Sequence, residues 1–147
     1  MRERDELVPG HGAGGSGSVL LCGAGPFEGE MLRRALERAF FRVTVVDDTD
    51  SAVLAILELC PDVIVLGDTM PPAPRVALLR WVRGTPGIDG TSVVFLSDDV
   101  DPAVAVHAYD IGVDMVVRKP VDVDLLGRKL SAVIRRGARS AAGAGGA

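Results

Sequence analysis

Between residues 18 and 136 the chain alternates short apolar runs with longer segments whose apolar residues recur at helical spacing. The runs at 19–22, 43–46, 63–66, 93–96 and 115–117 read as strands. Between the first two, Met31, Leu32, Ala35, Leu36 and Ala39 recur with arginines and glutamates among them, which predicts an amphipathic helix. Asp50 or Ser51 is expected to cap a second helix, and Pro61 forbids its continuation past Cys60. Pro74 suits the first turn of a third helix running through Val82, with Gly84 after its end. Asp101-Pro102 opens a fourth that stops near Gly112. Asp122 caps a fifth, whose Arg128, Lys129, Arg135 and Arg136 suit the negative end of a helix dipole. Strands and helices in strict alternation predict an α/β fold, a parallel sheet covered by helices on both faces.

The ends of the chain have a different character. Residues 1–17 are charged and then glycine-rich, and 137–147 (GARSAAGAGGA) are small and polar, compositions that bury too little apolar surface to offset their ordering entropy. They read as a flexible arm and as a flexible tail or linker, around one domain at 18–136. With 147 residues, 48% hydrophobic and 24% charged, the composition is that of an ordinary globular chain. A net charge of −4 gives no general attraction to nucleic acid, so direct DNA binding by this segment is not expected. Cys22 and Cys60 are flanked by apolar residues and read as buried thiols. With no signal peptide, metal-ligand spacing or membrane-length apolar run, the expectation is a cytoplasmic protein.

Several short motifs fall into one frame. The run Pro61-Asp62-Val63-Ile64-Val65-Leu66 makes the third strand, Met70-Pro71 follows it, Ser97 closes the fourth, Gly112 ends the fourth helix and Lys119-Pro120 follows the fifth strand. Jointly spaced in this way, they resemble the receiver domains of response regulators over nearly all of 18–136. The resemblance implies a single (βα)5 domain, five parallel strands in a doubly wound, flavodoxin-like (CheY-like) sheet. In that family two acidic residues after strand one hold Mg²⁺ and an aspartate ending strand three takes a phosphoryl group. A Ser or Thr and a Lys contact its oxygens. Here Gly23-Ala24 replace the acidic pair and Gly67 the acceptor. The resemblance therefore implies a degenerate phosphorylation site made of Gly23, Ala24, Gly67, Asp68, Ser97, Lys119 and Pro120, with no Mg²⁺, no cofactor and no enzymatic role. The family's aromatic switch position is Val116, and its Lys-Pro bond is commonly cis.

Two acidic sites compete with this frame. Asp47 and Asp48 read as the end of strand two and the solvated loop after it. Asp68 as a shifted acceptor is disfavoured, because alternation along a strand points it away from the site. A rival from another class is a Rossmann-like nucleotide or dinucleotide binder, with Gly23-Ala24-Gly25 approaching a pyrophosphate and Asp47 a ribose. Against it, the loop is GxGxxxG, and Glu28 would repel the phosphate.

Three expectations follow for what such a site does. Lys119 pairs with Asp98 or Asp68 and holds one conformation, Asp99 and Asp101 being further neighbours. The proline-rich segment 71–74 stiffens the loop after strand three. A small ligand lined by Gly23, Gly67, Ser97 and Lys119 ranks below a protein partner. The fourth helix is apolar nearly all round, which points to a homodimer through helix four, strand five and helix five, using Val104, Ala105, Ala108 and Tyr109.

Overall fold

A computed structural model describes residues 17–98 and 102–146, with side chains described as far as Gly137. Ten elements alternate along it: β1 (Gly17–Cys22), α1 (Pro26–Arg38), β2 (Phe41–Val46), α2 (Thr49–Leu59), β3 (Val63–Leu66), α3 (Pro72–Gly84), β4 (Ser92–Ser97), α4 (Pro102–Asp110), β5 (Met115–Arg118) and α5 (Val123–Gly146). All strand pairs are parallel, in the order β2-β1-β3-β4-β5. The expected α/β fold is the one observed. The arm at 1–16, together with Asp99 and Asp101, lies outside the described residues.

Alternation along each strand splits the core into two layers. Leu20, Cys22, Ile64, Leu66, Val93 and Phe95 face α2, α3 and α4, where Ile56, Leu79 and Ala108 meet them. Val19, Leu21, Val65, Val94 and Leu96 face α1 and α5, where Leu32, Leu36, Leu126 and Leu130 close the other side. Every residue of β3 and β4 is buried, as central parallel strands covered on both faces require. Each fully buried leucine contributes about 2 kcal/mol, so these layers fix the strand register on which the site depends.

Several boundaries differ from the sequence expectation. Asp48 caps α2, its Oδ1 accepting from Ser51 N–H at 2.7 Å, in place of Asp50 or Ser51. The N–H groups of the first turn are orphaned, and the carboxylate just before the helix reaches them best. That interaction holds the Asp48 carboxyl below its ordinary range. Helix α3 starts at Pro72 and runs through Gly84, so Pro72 and Pro74 are helical and only Pro71 stiffens the loop. Cys60 ends α2 in a left-handed conformation (φ 45°) with its thiol exposed, while Cys22 is buried and its thiol is pushed up to about 11 by that burial. Helix α5 continues to Gly146, through the stretch read as a tail or linker. Four alanines in that stretch favour its elongation and four glycines oppose it, at about 1 kcal/mol each. No helix among the described residues is long and apolar enough to cross a membrane.

Candidate functional site

The register brings the site together. Cys22 pairs with Leu66, so the residues following β1 and β3, Gly23 and Gly67, emerge side by side at the C-terminal edge of the sheet. Their backbones touch. Gly67 N–H donates to Cys22 O at 2.7 Å, and Thr69 donates to Gly23 O through both its N–H (3.0 Å) and its hydroxyl. A Cβ at Gly67 would lie 2.6 Å from the Gly23 carbonyl carbon and 2.7 Å from Ala24 Cα. At Gly23 (φ +78°) one would lie 2.9 Å from Met70 Cβ. The two loops form a closed seam with no space for a methyl group between them, let alone a carboxylate.

Beside the seam stands a charge cluster. Lys119 Nζ lies 2.9 Å from Glu28 Oε1 and 3.0 Å from Asp68 Oδ1, all three side chains about four-fifths buried. Hydrogen bonding to Glu28, then to Asp68, raises the Lys119 pKa above its ordinary value. Of the two partners expected for Lys119, Asp68 is the one engaged, and Asp98 is exposed. The expectation that Asp68 points away from the site fails because β3 ends at Leu66: Asp68 belongs to the following turn, where strand alternation does not apply. The backbone sets the height of Lys119, whose N–H donates to Ser97 O at 2.9 Å, and the Lys119–Pro120 bond is cis. Ser97 is buried at the end of β4.

Sequence reading used Glu28 only as an argument against a bound phosphate and did not pair it with Lys119. The signal was present: a helix opened by Pro26 puts its third residue in the first turn at the sheet edge, where Lys119 also emerges.

Arg75 was also missed. It is buried on α3, stacks 4.7 Å over the Phe95 ring and donates from Nη1 to Leu96 O at 3.1 Å and Gly67 O at 3.4 Å. Burial lowers its pKa, while Asp68 and Asp98 oppose that shift, and a guanidinium so placed remains charged. Its Nε has no partner among the described residues. Helical spacing groups 75 with the buried 78, 79 and 82, the pattern that marks a core-facing position.

On α4 the expected strip divides. Ala108 faces the core and is withdrawn from the candidate interface, because the small side chain at that position packs against the sheet. Val104 and Tyr109 are exposed, Ala105 is half-buried, and Val106, outside the expected set, is more exposed than either. Tyr109 Oη accepts from the N–H of Val116 at 3.0 Å, so an aromatic ring does reach the switch position, from the helix rather than from the strand.

This fold and edge geometry define a receiver-type module, and sequence comparison agrees. The response regulator receiver domain family matches residues 20–131, and the chain belongs to that family. It is 27% identical over 105 residues to the response regulator protein GraR of Staphylococcus saprophyticus, covering 71% of this chain and 46% of that protein. It is 33% identical over 107 residues to the transcriptional regulatory protein CseB of Streptomyces avermitilis, covering 73% and 44%. The chain thus spans about half the length of these curated relatives. The receiver domain of a signal transduction histidine kinase from Syntrophus aciditrophicus superposes with TM-score 0.71 at 26% identity over 81% of this chain and 90% of that one. The chemotaxis response regulator CheY4 of Vibrio cholerae (TM-score 0.72, 21% identity, 79% and 97% covered) shares the fold.

Among the described residues at this edge, the divalent ion of such receivers finds no fitting donors. Gly23, Ala24 and Gly67 offer no carboxylate, Glu28 and Asp68 are engaged by Lys119, and no group of three metal-ligating side chains occurs among the described residues.

Proposed function

We propose that this receiver is a pseudo-receiver, a signalling module that works in one fixed conformation through protein contacts and without phosphoryl transfer. The observation that carries this reading is the backbone contact of Gly67 with Gly23 and Ala24, which leaves no room for a side chain at the acceptor position. The Lys119 cluster supports it: the cation that would meet a phosphoryl oxygen is already neutralised by Glu28 and Asp68. On this reading the domain is cytoplasmic and carries no catalytic activity. A homodimer through α4, β5 and α5, with Val104, Ala105, Val106 and Tyr109 at the contact, is the form in which it acts. The relatives named as transcriptional regulators suggest an output in transcriptional control.

The test is exposure of the full chain to beryllofluoride or acetyl phosphate with Mg²⁺ while backbone amide resonances are followed. No shift at the sheet edge is expected. A second reading has one observation in its favour: Asp68 lies 3.0 Å from Lys119, the cation that a displaced acceptor would use. Acid-labile phosphate that disappears in Asp68→Asn establishes that reading and ends the first. Sedimentation of the full chain checks the dimer, with Val106→Arg expected to yield monomer.

A further inference from the structure

At the C-terminal edge of the sheet the strands end at different heights. The carbonyls of Val93 and Ser97 accept from Asp114 and Lys119 on the β5 side, so alternation turns the Leu96 carbonyl the other way, toward β3, which ends at Leu66. Beyond that end lies the turn of Gly67 and Asp68. One side chain bridges the gap: Arg75 of α3, whose Nη1 donates to Leu96 O at 3.1 Å and to Gly67 O at 3.4 Å.

The placement is costly. Arg75 is only 9% exposed, lies 4.7 Å over the Phe95 ring, makes no ion pair among the described residues and leaves Nε without an acceptor. Its position on α3 is shared with the buried Leu78, Leu79 and Val82, and a leucine there would complete the layer without desolvating a charge. The charge at 75 therefore serves the edge and not the core. Lys119 brings one positive charge against the two carboxylates of Glu28 and Asp68, and a second cation restores the balance. Backbone carbonyls beside surplus carboxylate are the surroundings that a hard divalent cation takes. Here an arginine stands among them, and its bond to the chain prevents its exchange.

We propose, on the pseudo-receiver reading, that Arg75 is the tethered cation of this site: its guanidinium stands at the Gly67 and Leu96 carbonyls in place of a divalent ion, ties the ends of β3 and β4 together and keeps metal out. Arg75 is a positioning residue that acts through these two carbonyls. A charge that cannot leave holds the edge in one conformation.

The test is a Mn²⁺ titration of the full chain, read as paramagnetic broadening of the Gly67, Asp68, Leu96 and Ser97 amides. Wild type is compared with Arg75→Gln, Arg75→Met, Arg75→Lys and Val82→Ala; the methionine keeps an apolar contact with Phe95 where glutamine folds poorly. Both neutral variants are expected to bind Mn²⁺ at this edge on the order of tenfold more tightly than wild type, and Arg75→Lys to stay like wild type. Val82→Ala loosens the same helix from a buried position and leaves the charge in place, so no gain is expected there. Equal Mn²⁺ affinity in wild type and both neutral variants overturns the role of Arg75. A gain of the same size in Val82→Ala overturns it too, since loosened packing then accounts for the effect. Neither result touches the pseudo-receiver reading, which falls instead if wild type takes up beryllofluoride with Mg²⁺.

Discussion

At the C-terminal edge of the sheet, the half around β1 and β3 is closed chiefly by backbone contact, while in the half around β4 and β5 side chains add the decisive contacts. In the first, Cys22 O and Gly23 O accept from Gly67 and Thr69, and glycine is the only residue the contact tolerates at position 67. In the second, Lys119 is fixed by Glu28 and Asp68, and Val116 N–H by the Tyr109 hydroxyl. The lesson lies in how each half responds to change. A side-chain contact can be removed by one substitution, whereas a backbone seam yields only if two loops move together. Regaining a phosphoryl acceptor here would therefore take a rebuilt β1–α1 loop as well as an aspartate.

The sharpest way to break the comparison is at Gly67. Gly67→Ala forces the two loops apart and is expected to cost about 3 kcal/mol in urea denaturation, and Gly67→Asp at least as much with no gain of phosphate uptake. A neutral Gly67→Ala would mean that the seam opens freely. Next comes Lys119→Met, which leaves Glu28 and Asp68 facing each other without a cation. Because the cluster is partly exposed, about 1 kcal/mol is expected.

The same pair has a pH signature. A lysine whose folded pKa is raised stabilises the fold fully below its unfolded value of about 10.4 and loses that contribution as pH rises through the raised value. The wild-type advantage over Lys119→Met should therefore be level at neutral pH and vanish under alkaline conditions. The smallest effect is expected at Tyr109→Phe, which unpairs the Val116 N–H at the sheet edge, where water can replace the hydroxyl. A loss of about 0.5 kcal/mol is expected, with faster amide exchange confined to β5.

Much of the fold was legible in advance because apolar spacing reports it directly. The run 63–66 is apolar at every position, as a central parallel strand must be, and β3 spans those residues. The ends were harder to read. The cap at Asp48 depends on which group reaches orphan N–H donors, and several neighbouring polar residues compete for that role, whereas α3 takes Pro72 into its first turn with no side-chain cap at Pro71. At the site, Gly23, Ala24 and Gly67 could be placed from motif spacing, and so could Lys119. Glu28 and Arg75 were missed although each left a trace, a first-turn place at the sheet edge for Glu28 and a core-facing helical spacing for Arg75, because charged residues on helices are mostly solvated.

By itself, then, the sequence determined the alternation of strands and helices and the absence of carboxylates at positions 23, 24 and 67, because each is written in residue type and period. Only the tertiary structure decided that the space so freed is filled by backbone, that Asp68 and Glu28 converge on Lys119, and that Ala108 belongs to the core while Val106 faces solvent. These are contacts between segments far apart in the chain. Their distances depend on how the layers close, which no local pattern encodes.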